Sequence, residues 1–113
     1  MDKDISIYLK QILDSIILIE SYISGVTEQQ FLDDKQLQDS VALRLHVIGE
    51  LSNKLPDEFK DQVPEIPWVE IVGMRNFIAH QYLEVTQARV WQTIVADLPS
   101  LKETLLTKLK QAM

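Results

Sequence analysis

The segment GMRNFIAHQY, residues 73–82, sets Arg75, Asn76, His80 and Tyr82 among apolar neighbours. A buried guanidinium or imidazole costs free energy unless it is paired, so such a cluster is either a satisfied structural network or a working site. Arginine and histidine together form an economical set for cleaving RNA. Imidazole can take a proton from a 2′-hydroxyl or give one to the leaving oxygen near neutral pH, and guanidinium can hold the charge that builds on the phosphate. That reaction needs no metal. The alternative reading of His80 is a hydrogen-bonded core residue, the commoner use of a lone histidine on a partly apolar helix.

On a regular α-helix, at about 100° per residue, Asn76 and His80 share one face and Arg75 aligns with Tyr82 to within about 20°. Arg75 and His80 are five apart and fall roughly 140° out of phase. Three arrangements reconcile them: a helix that frays near His80, an arginine that wraps round, or a second copy of the chain completing a symmetric cleft. The third makes a homodimer natural.

The elements that must position these residues are helices. With three glycines and four prolines in 113 residues, and apolar residues at three- and four-residue spacing, the chain reads as all-α. Ile5, Leu9, Ile12, Leu13, Ile16, Ile19 and Ile23 trace the stripe of a first helix, with Gly25 placed to terminate it. Thr27 and Gln30 form a capping-box pattern for a short helix or turn. A second long helix is expected from about Asp34 to Leu55, with Leu37, Val41, Leu45, Ile48 and Leu51 inward and Pro56 ending it. The acidic residues of DDKQLQD suit the positive end of its dipole. Pro64 and Pro67 punctuate an extended connection, and Pro67 suits the first position of the third helix, which carries the Arg75 segment. Thr86 is the expected N-cap of the last helix, with Val90, Trp91, Ile94, Leu98, Leu101, Leu105 and Leu109 inward and Pro99 kinking or interrupting it. Short connections between amphipathic helices give an up-and-down bundle of four main helices, read as a single domain over residues 1–113.

Composition narrows the function classes. The absence of cysteine excludes disulfides, thiolate nucleophiles and cysteine metal sites. The two histidines, His46 and His80, are too few for a metal centre without several carboxylates, so no metal and no cofactor is expected. No apolar run approaches the roughly 20 residues that span a bilayer, and the start MDKDISIYLK is acidic where a signal peptide is basic, so a cytoplasmic protein is expected. The formal net charge of −6 argues against strong nonspecific nucleic-acid binding. It is unevenly spread: residues 1–66 hold 13 acidic and 6 basic side chains, residues 67–113 hold 4 and 5. Any RNA contact is therefore expected in the second half.

Arg75, four residues, His80, one residue and Tyr82 resemble the arginine-x4-histidine-x-tyrosine signature of HEPN-domain toxins of the HepT-like branch. The resemblance extends to PEIPWVEIVGMRNFIAHQY (64–82), VALRLHVIGELSNKL (41–55) and VWQTIVADLPSLK (90–102), most of the chain. It implies a helical bundle that dimerises with two motifs facing one cleft. It also implies metal-independent endoribonuclease activity on RNA, with tRNA and mRNA as candidate classes, as the toxin of a type VII toxin–antitoxin system. The implied partner is a minimal nucleotidyltransferase (MNT) antitoxin that transfers AMP to the toxin. Carried onto this sequence, Arg75 and His80 would be catalytic, Asn76 would orient the imidazole and Tyr82 would accept AMP. His46 departs from the acidic residue expected in the second-helix block.

Other residues have plainer readings. His46, beside Leu45 on the second helix, is expected to be structural or solvent-facing. Arg44 and Glu50 are either solvated or line a dimer cleft. Trp68 and Trp91 are expected as core anchors rather than base-stacking platforms. The alternative to a toxin ribonuclease is a non-catalytic HEPN module that binds a nucleotide or scaffolds a nucleotidyltransferase. A scaffold has no need of all four residues of the Arg75–Tyr82 set.

Overall fold

A computed structural model of the chain describes residues 3–76 and 86–111. Among these residues all regular structure is helical. Helix α1 spans Lys3–Ile23 and buries Leu9, Ile12, Ile16 and Ile19. It stops where Gly25 adopts φ +74°, the left-handed conformation a β-carbon disfavours, and Val26 N–H donates to Ile23 O at 2.9 Å. Helix α2, Glu28–Leu32, opens on the anticipated capping box. Gln30 N–H donates to Thr27 Oγ1 (3.1 Å) and Thr27 N–H donates to Gln30 Oε1 (2.9 Å).

Helix α3, Lys35–Lys54, is capped by Asp34, whose Oδ1 accepts Leu37 N–H at 3.0 Å. Gln38, buried near its start, donates from Nε2 to the Phe31 and Leu32 carbonyls at 2.9 and 3.1 Å. The orphan acceptors at the end of α2 thereby anchor the beginning of α3. Val41, Leu45, Ile48 and Leu51 point inward as their spacing requires.

After Pro56 the structure adds α4, Asp57–Asp61, where the sequence reads as an extended connection. Five residues are too few for a helical period to register or for a helix to be stable alone. Tertiary contacts supply what local propensity lacks. Phe59 is buried against Trp68, ring centroids 6.4 Å apart in an edge-on arrangement, and Trp68 Nε1–H is shared between Lys60 O and Val63 O, each at 3.1 Å. Helix α5, Trp68–Gly73, follows with Pro67 as its N-cap, one position outside the expected first helical residue.

The last rod consists of α6 (Gln87–Gln92), a π-helical turn (Thr93–Asp97) and α7 (Leu98–Gln111), run together without a break. Thr86 caps it, Oγ1 accepting Arg89 N–H at 3.2 Å. Pro99 cannot donate to the ladder, and the rod absorbs this by widening just before it: Leu98 N–H reaches back to Thr93 O. The expected interruption is thus a π turn, and the inward stripe Val90, Ile94, Leu98, Leu101 and Leu105 continues through it. Trp91 rests on Phe31 with centroids 5.3 Å apart, closing α6 onto α2.

These elements form an all-α bundle in which α1 packs against α3 and α7, while α3 also packs against α5 and the turn after it. Its core is mostly aliphatic, with Leu9, Ile12, Ile16, Leu45, Ile48, Ile71, Leu98 and Leu105 all but inaccessible and Phe31 buried among them. Among the described residues no helix is long and apolar enough to cross a membrane.

Candidate active site

Arg75 is not part of an α-helix. Helix α5 ends at Gly73 and continues as a single 3₁₀ turn, Met74–Asn76. The change is visible at Met74, whose amide is shared between Ile71 O and Val72 O and whose side chain is 2% exposed. A 3₁₀ turn advances about 120° per residue, against about 100° in an α-helix. The one 3₁₀ step after Arg75 shifts its phase to His80 by only about 20°, and residues 77–80 lie outside those described, so the offset and the second copy of the chain it suggested remain expectations. The helix departs from α geometry at Arg75; the fraying near His80 that was one of three arrangements open from sequence falls outside the described residues.

What shapes this turn comes from α3. The Arg75 carbonyl lies 2.7 Å from His46 Nδ1. A carbonyl can only accept, so Nδ1 carries the proton and donates. Helix-end carbonyls need partners from outside the helix, and His46 supplies this one from 29 positions away. One turn further along the same side of α3, Gly49 is buried against the Arg75 backbone. A β-carbon at 49 would collide with the Arg75 amide nitrogen and lie 3.0 Å from its Cα and Cβ. Position 49 accommodates only a hydrogen.

Sequence reasoning missed Gly49, although a signal was there. Glycine inside a 20-residue helix costs roughly 1 kcal/mol against alanine and calls for a packing reason. The pair predicts its own test. Gly49→Ala gains about 1 kcal/mol of helix propensity but forces backbone apart, an overpacking cost of about 1–3 kcal/mol. The melting temperature should fall by a few degrees instead of rising, because the obstruction is backbone and cannot rotate away. A variant more stable than the wild type would show that α3 and the Arg75 turn are not in this contact.

The Arg75 side chain is half-buried, and among the described residues its guanidinium has no hydrogen-bond or ion-pair partner. Arg44 and Glu50 are also half-buried on α3, and Glu50 follows His46 by one turn. Trp68 and Trp91 are packed on the core as anchors. His80, Tyr82 and the Asn76 side chain lie outside the described residues, so the structure places only Arg75 of the four candidates as a side chain.

Comparison with known proteins identifies the frame around these residues. The family model described as "Ribonuclease HepT-like" matches residues 12–107. A Methanocaldococcus jannaschii protein, named for a gamma-glutamylcyclotransferase and a candidate RNase, is 42% identical over 94% of this chain. The chain spans only 48% of that relative's length. A Thermococcus cleftensis protein named "Probable ribonuclease HepT" is 41% identical over 84% of this chain and 86% of its own. A Caldanaerobacter subterraneus protein, named as a candidate RNase, is 32% identical over 85% of this chain and 86% of its own. No solved structure matches the chain significantly. The matched block runs from the middle of α1 to near the end of α7 and contains α3, the 3₁₀ turn and the whole Arg75–Tyr82 segment: the chain belongs to the ribonuclease HepT-like family.

Proposed function

We propose that the chain is a metal-independent endoribonuclease and the toxin of a toxin–antitoxin pair. The observation that carries this reading is Arg75, half-buried on a turn that α3 clamps, in a chain of the ribonuclease HepT-like family. Arg75 holds the scissile phosphate and the charge that builds on it. His80 moves the protons: the 2′-hydroxyl loses one as its oxygen attacks phosphorus, and the departing 5′-oxygen gains one as its bond to phosphorus breaks. The products are a 2′,3′-cyclic phosphate and a 5′-hydroxyl. Asn76 orients the imidazole, and two copies of the chain face one another across the RNA. A nucleotidyltransferase antitoxin silences the site by transferring AMP to Tyr82.

Purified protein should cleave single-stranded RNA equally well with and without EDTA, because the acid–base and charge-stabilising groups belong to the chain itself. Sedimentation at the assay concentration should give a dimer. Cleavage abolished by EDTA and restored by a divalent ion would overturn the metal-independent mechanism. Full activity from a monomer would remove the shared cleft. A protein that binds the nucleotidyltransferase yet cleaves no RNA would be a scaffold.

A further inference from the structure

We propose that His46 is a positioning residue for RNA cleavage, acting by donating from Nδ1 to the Arg75 carbonyl. The inference rests on the reading of Arg75 as the phosphate-holding group, and it assigns a role to a histidine outside the Arg75–Tyr82 segment.

Three observations carry it. The contact is short, 2.7 Å, and its direction is forced by chemistry, since the acceptor is a carbonyl. It falls on the backbone of the very residue whose side chain must meet the phosphate. It also works with a second restraint on the same residue: Gly49, three positions along α3, lets the helix press directly on the Arg75 amide. One device grips the carbonyl side of Arg75 and the other abuts its nitrogen side, so the Cα from which the guanidinium extends is fixed at both ends. Guanidinium reaches its target through a long flexible stem, and a misplacement of about 1 Å at the reacting centre can cost about a hundredfold in rate.

The donor character of position 46 is the specific claim. A carboxylate there, the residue type expected from sequence, would set its lone pairs against those of the Arg75 carbonyl and repel it. Leucine would fill the space and leave the carbonyl without this donor. Asparagine, whose side-chain nitrogen takes nearly the place of Nδ1, would keep the bond. Glutamine presents its nitrogen nearer the position of Nε2 and would not.

The test compares His46→Asn, His46→Gln and His46→Leu with wild type and with Arg75→Ala, measuring kcat and KM on one RNA oligonucleotide together with thermal melts. His46→Leu and His46→Gln are expected to lose about ten- to a hundredfold in kcat with KM changed less than about threefold, because the charge that Arg75 must meet develops in the transition state. His46→Asn is expected within about threefold of wild type. Nitrogen-15 NMR of the wild-type imidazole should show the proton on Nδ1. Cleavage by His46→Leu at the wild-type rate, rescue by glutamine in place of asparagine, an Nε2–H tautomer, or a rate loss that merely follows the loss of thermal stability would each overturn the proposal. The underlying reading fails separately and recognisably: in that case wild type cleaves no RNA, or Arg75→Ala cleaves as well as wild type.

Discussion

Replacing His80 with alanine is expected to lower RNA cleavage by about 10²–10⁴-fold, the range over which a positioned acid–base group acts. Arg75→Ala is expected to lose about 10²–10³-fold, as when one donor to a developing oxyanion is removed. The two changes should not add fully, since both serve one transition state. Neither variant should lose its helical circular dichroism. Arg75 has no described side-chain partner to leave unpaired, and its backbone contacts to His46 and Gly49 do not depend on the side chain. Equal cleavage by wild type and His80→Ala would sink the assignment of His80. A variant that is inactive because it is unfolded would show instead that the segment is a structural network.

The second large effect is expected at Tyr82. Adding AMP there places at least one negative charge and a bulky nucleoside two residues from His80, where the proposed reading puts the RNA phosphate. Obstruction would be both steric and electrostatic. Incubation with the cognate nucleotidyltransferase, ATP and magnesium should raise the intact mass of wild type by AMP units and abolish its cleavage. Tyr82→Phe keeps the ring but lacks the acceptor oxygen, so it should gain no mass and stay active after the antitoxin is removed. Modification at another residue, or full activity after modification, excludes this switch. An antitoxin that silences Tyr82→Phe as completely as wild type, and only while bound, points to masking by binding.

The long helices were legible because their boundaries are written in local chemistry. Thr86 is an N-cap in fact as in expectation, Asp34, expected to begin the second helix, caps it, Thr27 and Gln30 make their reciprocal pair, and Gly25 takes the left-handed turn that ends α1. Pro99 announced a disturbance whose form, a π turn, depends on keeping the inward stripe of the last rod continuous. What escaped was tertiary in origin. Helix α4 exists because Phe59 meets Trp68, a pairing that no five-residue window contains. The 3₁₀ turn at Arg75 is pressed by Gly49, and its carbonyl is taken by His46, 29 positions away. His46 was expected to be structural or solvent-facing, and its partner, the Arg75 carbonyl, was invisible to a local reading. Arg75, Asn76, His80 and Tyr82 were singled out by type and spacing, and Arg75 is the one whose side chain stands among the described residues.

In the proposed mechanism the chain's own arginine and histidine cleave RNA through the 2′-hydroxyl. Its most direct test is end-group analysis by mass spectrometry of a synthetic RNA digested by the purified protein in EDTA, with Arg75→Ala and His80→Ala run alongside. Wild type is expected to yield fragments ending in 2′,3′-cyclic phosphate and beginning with 5′-hydroxyl, depleted about a hundredfold or more with either variant. Fragments bearing 5′-phosphate and 3′-hydroxyl, or identical products from all three proteins, would contradict it.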